Sequence, residues 1–183
     1  DSERAYCAGA RYDWNDAFRQ GQQADIDGRH VRKIGNAAYA LHQEGMPEGL
    51  SIVRNSRFNP VPEHVHDYVE ISYVYRGSAP QVVNGTQLTL AQNEVLLLDA
   101  ACPHAVGELG EHDLMLSIVI SRPMLRRSLE QSLSSTSAVS QFLLNALNDE
   151  TDHRGHVHFR TGASRRVRRY IQEMLCELLE PTA

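Results

Sequence analysis

Between residues 50 and 120 the chain alternates apolar and polar positions in short runs cut by turn residues, the signature of half-buried strands. Leu50 to Arg57 alternates until Asn59-Pro60. Val69 to Arg76 is rich in β-branched and aromatic residues and stops at Gly77, a composition that suits a pleated surface. Two further runs, Gln81 to Val83 and Gln87 to Leu90, flank Asn84-Gly85, a strong two-residue hairpin signal. Glu94 to Leu98, Cys102 to Val106 and Leu114 to Ile120 complete seven short strands, a number and spacing that predict a sandwich or small barrel. After Arg122-Pro123 the period lengthens. Leu125, Leu129 and Leu133, then Val139, Phe142, Leu143, Ala146 and Leu147, fall at helical spacing. His156 to Arg160 reads as an extra strand, Ser164 as an N-cap, and Val167, Ile171, Met174, Leu175, Leu178 and Leu179 as one face of a last helix. The expected organisation is a partly irregular extension over 1–48 with a short helix at Trp14 to Gln20, a β-barrel over 49–121 and a helical segment over 122–183.

Composition narrows the class. Of the 183 residues 42% are hydrophobic and 22% charged, enough to bury an ordinary core. No apolar run reaches the ~18 residues a membrane span needs, and the N-terminus lacks the pattern of a signal peptide. The chain begins without Met and ends between elements, so it reads as a fragment of a longer protein. Cys7, Cys102 and Cys176 are distant and odd in number, which forms no disulfide framework and fits a reducing cytoplasm. The formal net charge of −5 argues against a surface that grips DNA, which would be basic.

The chemistry concentrates in His64-Val65-His66-Asp67-Tyr68-Val69-Glu70, followed by Gly77, and in Cys102-Pro103-His104. On a strand, side chains alternate faces, so His64, His66 and Glu70 share one face and can converge inside a barrel, and His104 can reach the same point from another strand. Three imidazoles and a carboxylate suit a divalent first-row ion such as zinc, iron, nickel or manganese. The same parity sends Ser72, Val74 and Arg76 inward and Val69, Ile71, Tyr73 and Tyr75 outward. Both faces of that strand are largely apolar, so the helical tail is expected to cover the outer one. Arg54 is a candidate for pairing an anionic ligand inside the barrel through its guanidinium fork. Cys102 beside His104 reads as a buried thiol, and His156-x-His158 as a plain strand or loop, since no nearby carboxylate or third histidine supports a site there.

These residues resemble a family. His64-x-His66-x-x-x-Glu70-x6-Gly77 is similar to the first cupin motif and Asn93 to His104 to the second. With Asp67, Asn84-Gly85 and Pro103-His104, the pattern resembles the N-terminal sensor domains of AraC-type transcriptional regulators over about residues 50–180. His158 to Gly162 and the arginine-rich helix after it resemble the segment joining sensor to DNA reader in that family. Two positions depart. Phe58 stands where a glycine often precedes the first histidine, and Asn93-Glu94 where Gly-Asp is usual. The resemblance implies a double-stranded β-helix followed by helices. It implies an effector-binding and dimerisation domain sensing a small metabolite, by default a sugar, at His64, His66, Glu70, His104, Arg54 and Ser72. A divalent metal at the three histidines and Glu70, a homodimer, and DNA contact through a helix-turn-helix domain absent from this sequence follow from it as well. The rival reading is a metal-dependent cupin enzyme, an isomerase or dioxygenase; a third is a plain dimerisation module. Arg165, Arg166, Arg168 and Arg169 read as a solvated or inter-domain face rather than a DNA contact.

Overall fold

The computed structural model describes residues 22–34, 47–130, 138–148 and 153–179. The described chain runs β1 (Gln22–Ile26), β2 (Arg29–Ile34), β3 (Leu50–Arg54), β4 (Val61–His66), β5 (Val69–Arg76), β6 (Ser78–Val83), β7 (Thr86–Ala91), β8 (Val95–Leu98), β9 (His104–Val106), β10 (Leu114–Ile120), α1 (Arg122–Glu130), α2 (Ala138–Asn145), β11 (His156–Phe159) and α3 (Arg165–Leu179). The expected helix at residues 14–20 and the Leu133 position lie outside the described residues. No helix among the described residues is long and apolar enough to cross a membrane.

The strands form two sheets, β1-β2-β4-β9-β6-β7 and β11-β8-β5-β10-β3. Every pairing is antiparallel except β2 with β4. Side chains from both sheets meet in one apolar core, with Val61, Ala79, Val83, Leu90 and Val106 on one side and Val74, Leu96, Leu98 and Met115 on the other. The architecture is mainly β and of jelly-roll type, as the short alternating runs predicted. The hairpin at Asn84-Gly85 forms between β6 and β7, with φ of +49° and +74° at the two turn residues, the left-handed pair that such a turn requires.

Two expectations need correction. Residues 22–34 are not irregular. Asp27-Gly28 turns β1 into β2, and β2 pairs parallel with β4 through Arg32 and His64. Second, His64, His66 and Glu70 do not share a strand. A bend at Asp67-Tyr68 ends β4 at His66 and starts β5 at Val69, so the cluster is assembled from both sheets.

β5 is covered on both faces. Ser72 and Val74 are fully buried on the inside. On the outside Tyr73 packs with Val139 and Phe142 of α2, Val157 and Phe159 of β11, and Val167 and Ile171 of α3. Val69 packs with Leu125 of α1 and Ala146 just beyond α2. The helical tail is therefore built onto the five-stranded sheet. Ser164 caps α3, its Oγ accepting the Val167 N–H at 3.4 Å. The four arginines of α3's start are exposed, and Arg169 donates to Glu173 one turn on at 2.7 Å.

Candidate functional site

The two sheets bring four polar side chains to one buried point. His64 and His66 project inward from β4 and His104 from β9, opposite His64 in the ladder. Glu70 reaches the same place from the facing sheet. All four are at most 6% exposed. Glu70 Oε2 lies 3.6 Å from His66 Nε2 and 3.8 Å from His104 Nε2, and Ser72 donates to Glu70 Oε1 at 3.1 Å.

Proton positions follow from the partners. His104 Nδ1 is 3.0 Å from the Cys102 carbonyl and His64 Nδ1 is 2.9 Å from the Pro62 carbonyl. A carbonyl only accepts, so both rings carry hydrogen on Nδ1 and, when neutral, a lone pair on Nε2. His104 Nε2 therefore faces a carboxyl oxygen of Glu70. His66 stacks flat on Tyr68 at 4.1 Å, and both of its ring nitrogens are buried without a hydrogen-bond partner. Buried acceptors that face one another without a donor are costly. The ring nitrogens of His66 are thus left for a ligand or ion to satisfy.

A divalent ion meets that need. The donor atoms of His66, Glu70 and His104 lie within 4.8 Å of one another, close to the roughly 3–4 Å spacing that ligand bonds of about 2.0–2.2 Å impose. His64, the fourth residue of the expected set, is not in this group. Its ring lies tilted against that of His104, with centroids 4.1 Å apart, and is 6.3 Å from that of His66. Cys102 is in the apolar core, as a buried thiol.

Burial, then the neighbouring His104, hold the pKa of His64 well below the usual value. His66 is lowered by the same two causes and by His64. An unfolded chain takes up protons at both rings near pH 6.5 while the folded chain does not. The contribution to stability is thus complete above that pH and lost as pH falls below it, by up to about 1.4 kcal/mol per pH unit for each ring. Urea unfolding of metal-free protein is expected to show a lower midpoint at pH 5.5 than at pH 7, with His64→Gln flattening the dependence. Equal midpoints in the unsubstituted chain would remove this reading.

Arg54 does not enter the barrel. In the ladder it aligns with Leu116, which aligns with Tyr73. Paired residues share a face, so Arg54 is on the outer face of the sheet, and it is exposed. Arg76 also departs from expectation. A register shift between Leu114 and Met115 sets Arg76 opposite Leu114 and Val74 opposite Met115. Such a bulge re-aims a side chain, and Arg76 turns out to solvent.

Sequence reasoning missed the contacts between barrel and tail. Glu94 Oε2 is 2.9 Å from His158 Nε2 and accepts the Ala91 N–H at 3.0 Å. Asp99 Oδ2 is 3.2 Å from His153 Nδ1, and Thr161 donates to the Asn93 carbonyl at 2.6 Å. His156-x-His158 is a strand, but a carboxylate does lie beside it in space. The two departures from the family pattern keep glycine-like backbone, since Phe58 and Asn93 have φ of +61° and +64°. The motif's shape is retained without its usual residues.

Several solved structures resemble this fold at low identity. ToxT from Vibrio cholerae is 11% identical with a TM-score of 0.47, over 69% of this chain and 46% of that one. A predicted oxalate decarboxylase from Thermotoga maritima is 23% identical with a TM-score of 0.34, over 39% of this chain and 64% of that one. A cupin superfamily protein from Desulfitobacterium hafniense is 21% identical with a TM-score of 0.35, over 39% of this chain and 65% of that one. This chain thus spans less than half of the ToxT chain. No curated protein matches. The model of the AraC-like ligand-binding domain matches residues 53–175, a stretch that holds the whole histidine–glutamate cluster and most of the tail packed on the barrel. The chain belongs to the family of AraC-like ligand-binding domains.

Proposed function

We propose that this chain is the effector-binding domain of a cytoplasmic transcription regulator and that its effector is a hydroxyl-rich metabolite, a sugar, bound in the barrel beside His66, Glu70 and His104. One observation supports this above the others: Glu70 Oε2 and the Nε2 atoms of His66 and His104 converge in a buried place, where the His66 ring nitrogens make no hydrogen bond. Hydroxyl groups are the neutral donors that satisfy such acceptors. Gln81 adds a buried Oε1 that has no partner, and Ser72 and Ser117 add inward hydroxyls. A zinc, nickel, iron or manganese ion would be held by His66, Glu70 and His104, with His64 behind His104. When bound, it would supply a positive charge that fixes a ligand oxygen.

Transmission follows from the packing. Glu70 and Tyr73 alternate on β5, one facing the cluster and the other the tail. A ligand that binds one arrangement of β5 more tightly than another shifts the tail by that difference in affinity. In this reading residues 49–121 sense, residues 122–183 dimerise and relay, and a separate helix-turn-helix domain contacts DNA. The three-ligand cluster also favours a second reading, a metal-dependent cupin isomerase or dioxygenase.

Metal analysis of protein purified without chelator, followed by a thermal-shift screen against sugars, separates the two. A sugar at a hundred times its Kd stabilises by about 2.7 kcal/mol, or roughly 5–10 °C for a chain of this size. Stabilisation that leaves the sugar unchanged, and that His66→Ala abolishes, is the expected result. Turnover of a stabilising sugar would establish the enzyme instead.

A further inference from the structure

A second site lies outside the barrel. Where β3, β5 and β10 end together, a surface pocket of about 180 Å³ is lined by Arg54, Arg57, Arg76, Tyr75, Leu114 and Asp113, among others. Three guanidinium groups face a single carboxylate in this lining. Both oxygens of that carboxylate serve the backbone, accepting the Ser78 N–H at 2.9 Å and the Gly110 N–H at 2.8 Å. Asp113 thus shapes the loop, and Gly77 is required beside it, because a Cβ there would fall on Asp113 Oδ1.

The cations are aimed. Arg57 donates to the Glu111 carbonyl at 2.6 Å and Arg76 to the His112 carbonyl at 2.7 Å. These bonds anchor the two guanidinium groups to the same loop. Arg54 comes from the strand on the other side of β10. Its place on the outer face, set by the pairing of β3 with β10, joins it to this group. Apolar surface completes the pocket through Leu114 and Tyr75, the latter 38% exposed and edge-on to the buried Tyr73.

We infer that this pocket binds a small organic carboxylate with an apolar body, its carboxylate on the arginines and its body on Tyr75 and Leu114. Guanidinium forks match a planar carboxylate by paired hydrogen bonds, and the aromatic ring and Leu114 select against a bare ion. This site is separate from the interior cluster and does not depend on the function proposed for it.

The test is calorimetric titration of the whole chain with benzoate, hexanoate and inorganic phosphate at low salt. Benzoate or hexanoate is expected to bind saturably, with Arg54→Gln and Arg76→Gln each weakening binding at least tenfold and Glu63→Gln, on the other sheet, leaving it unchanged. Circular dichroism melting confirms that the variants fold, and Tyr75→Ser provides a reading that leaves the arginine anchors in place, expected to weaken benzoate more than threefold. No saturable binding of either carboxylate, binding indifferent to both arginine substitutions, or phosphate binding as tight as benzoate would overturn the proposal.

Discussion

Glu70→Gln is expected to abolish stoichiometric binding of divalent metal while leaving the barrel folded. The carboxylate is the one anionic member of the converging set, and its Oε2 is the atom nearest both His66 Nε2 and His104 Nε2. Outer-shell changes alone typically cost tenfold to a hundredfold in metal affinity. Removing a charged ligand should raise Kd at least about a hundredfold, near 2.7 kcal/mol. Glutamine keeps the volume and can still accept from Ser72 at the position Oε1 now holds. The melting temperature of the metal-free variant should therefore not fall. Zinc titration followed by calorimetry measures both quantities. A metal affinity within threefold of the original would place the ion elsewhere.

Tyr73→Ala should produce the largest loss of stability, about 3–5 kcal/mol, as for other buried aromatic truncations. The ring is fully buried at the centre of the cluster that joins β5 and β8 to α2, β11 and α3. Its hydroxyl also donates to Asn93 Oδ1 at 3.0 Å. Tyr73→Phe removes only that bond and should cost about 0.5–1.5 kcal/mol. The alanine variant should also expose the tail to limited proteolysis before the barrel unfolds, because its outer anchor is lost while Val74 and Leu96 still hold the inner core. Simultaneous digestion of tail and barrel would show that the two form one cooperative unit and would remove the relay argued from β5.

The sequence was most legible where one strand carried the whole signal. β5 alternates so regularly that both of its faces, and the need for a covering tail, were evident from Val69 to Tyr75. The Asn84-Gly85 hairpin was equally plain. Legibility ended where pairing decides the outcome. The face that Arg54 takes depends on its alignment with Leu116, and a single sequence carries no register. Arg76 escaped the alternation because a bulge interrupts the ladder just before it. His66 and Glu70 approach each other, yet not as neighbours on one strand. The bend at Asp67-Tyr68 sends them into opposite sheets, and the interior brings them back together. Asp27-Gly28 was a readable turn signal, overlooked because the flanking strands are polar on their outer face and carry only Val31 and Ile34 as fully buried apolar anchors in β2. The Glu94–His158 and Asp99–His153 contacts span 64 and 54 residues, and no local pattern could announce them.

The cluster itself is most directly observed through the ring nitrogens of the histidines. Nitrogen-15 spectra of metal-free protein at pH 7 should show His64 as a neutral ring with hydrogen on Nδ1, and His104 with hydrogen on Nδ1 as well. Zinc added alone should then move the Nε2 signal of His104 and one ring-nitrogen signal of His66 together, in a single step complete at one equivalent. A His104 protonated on Nε2, or zinc shifting the two rings at different equivalents, would contradict the convergence on which the sensing site rests.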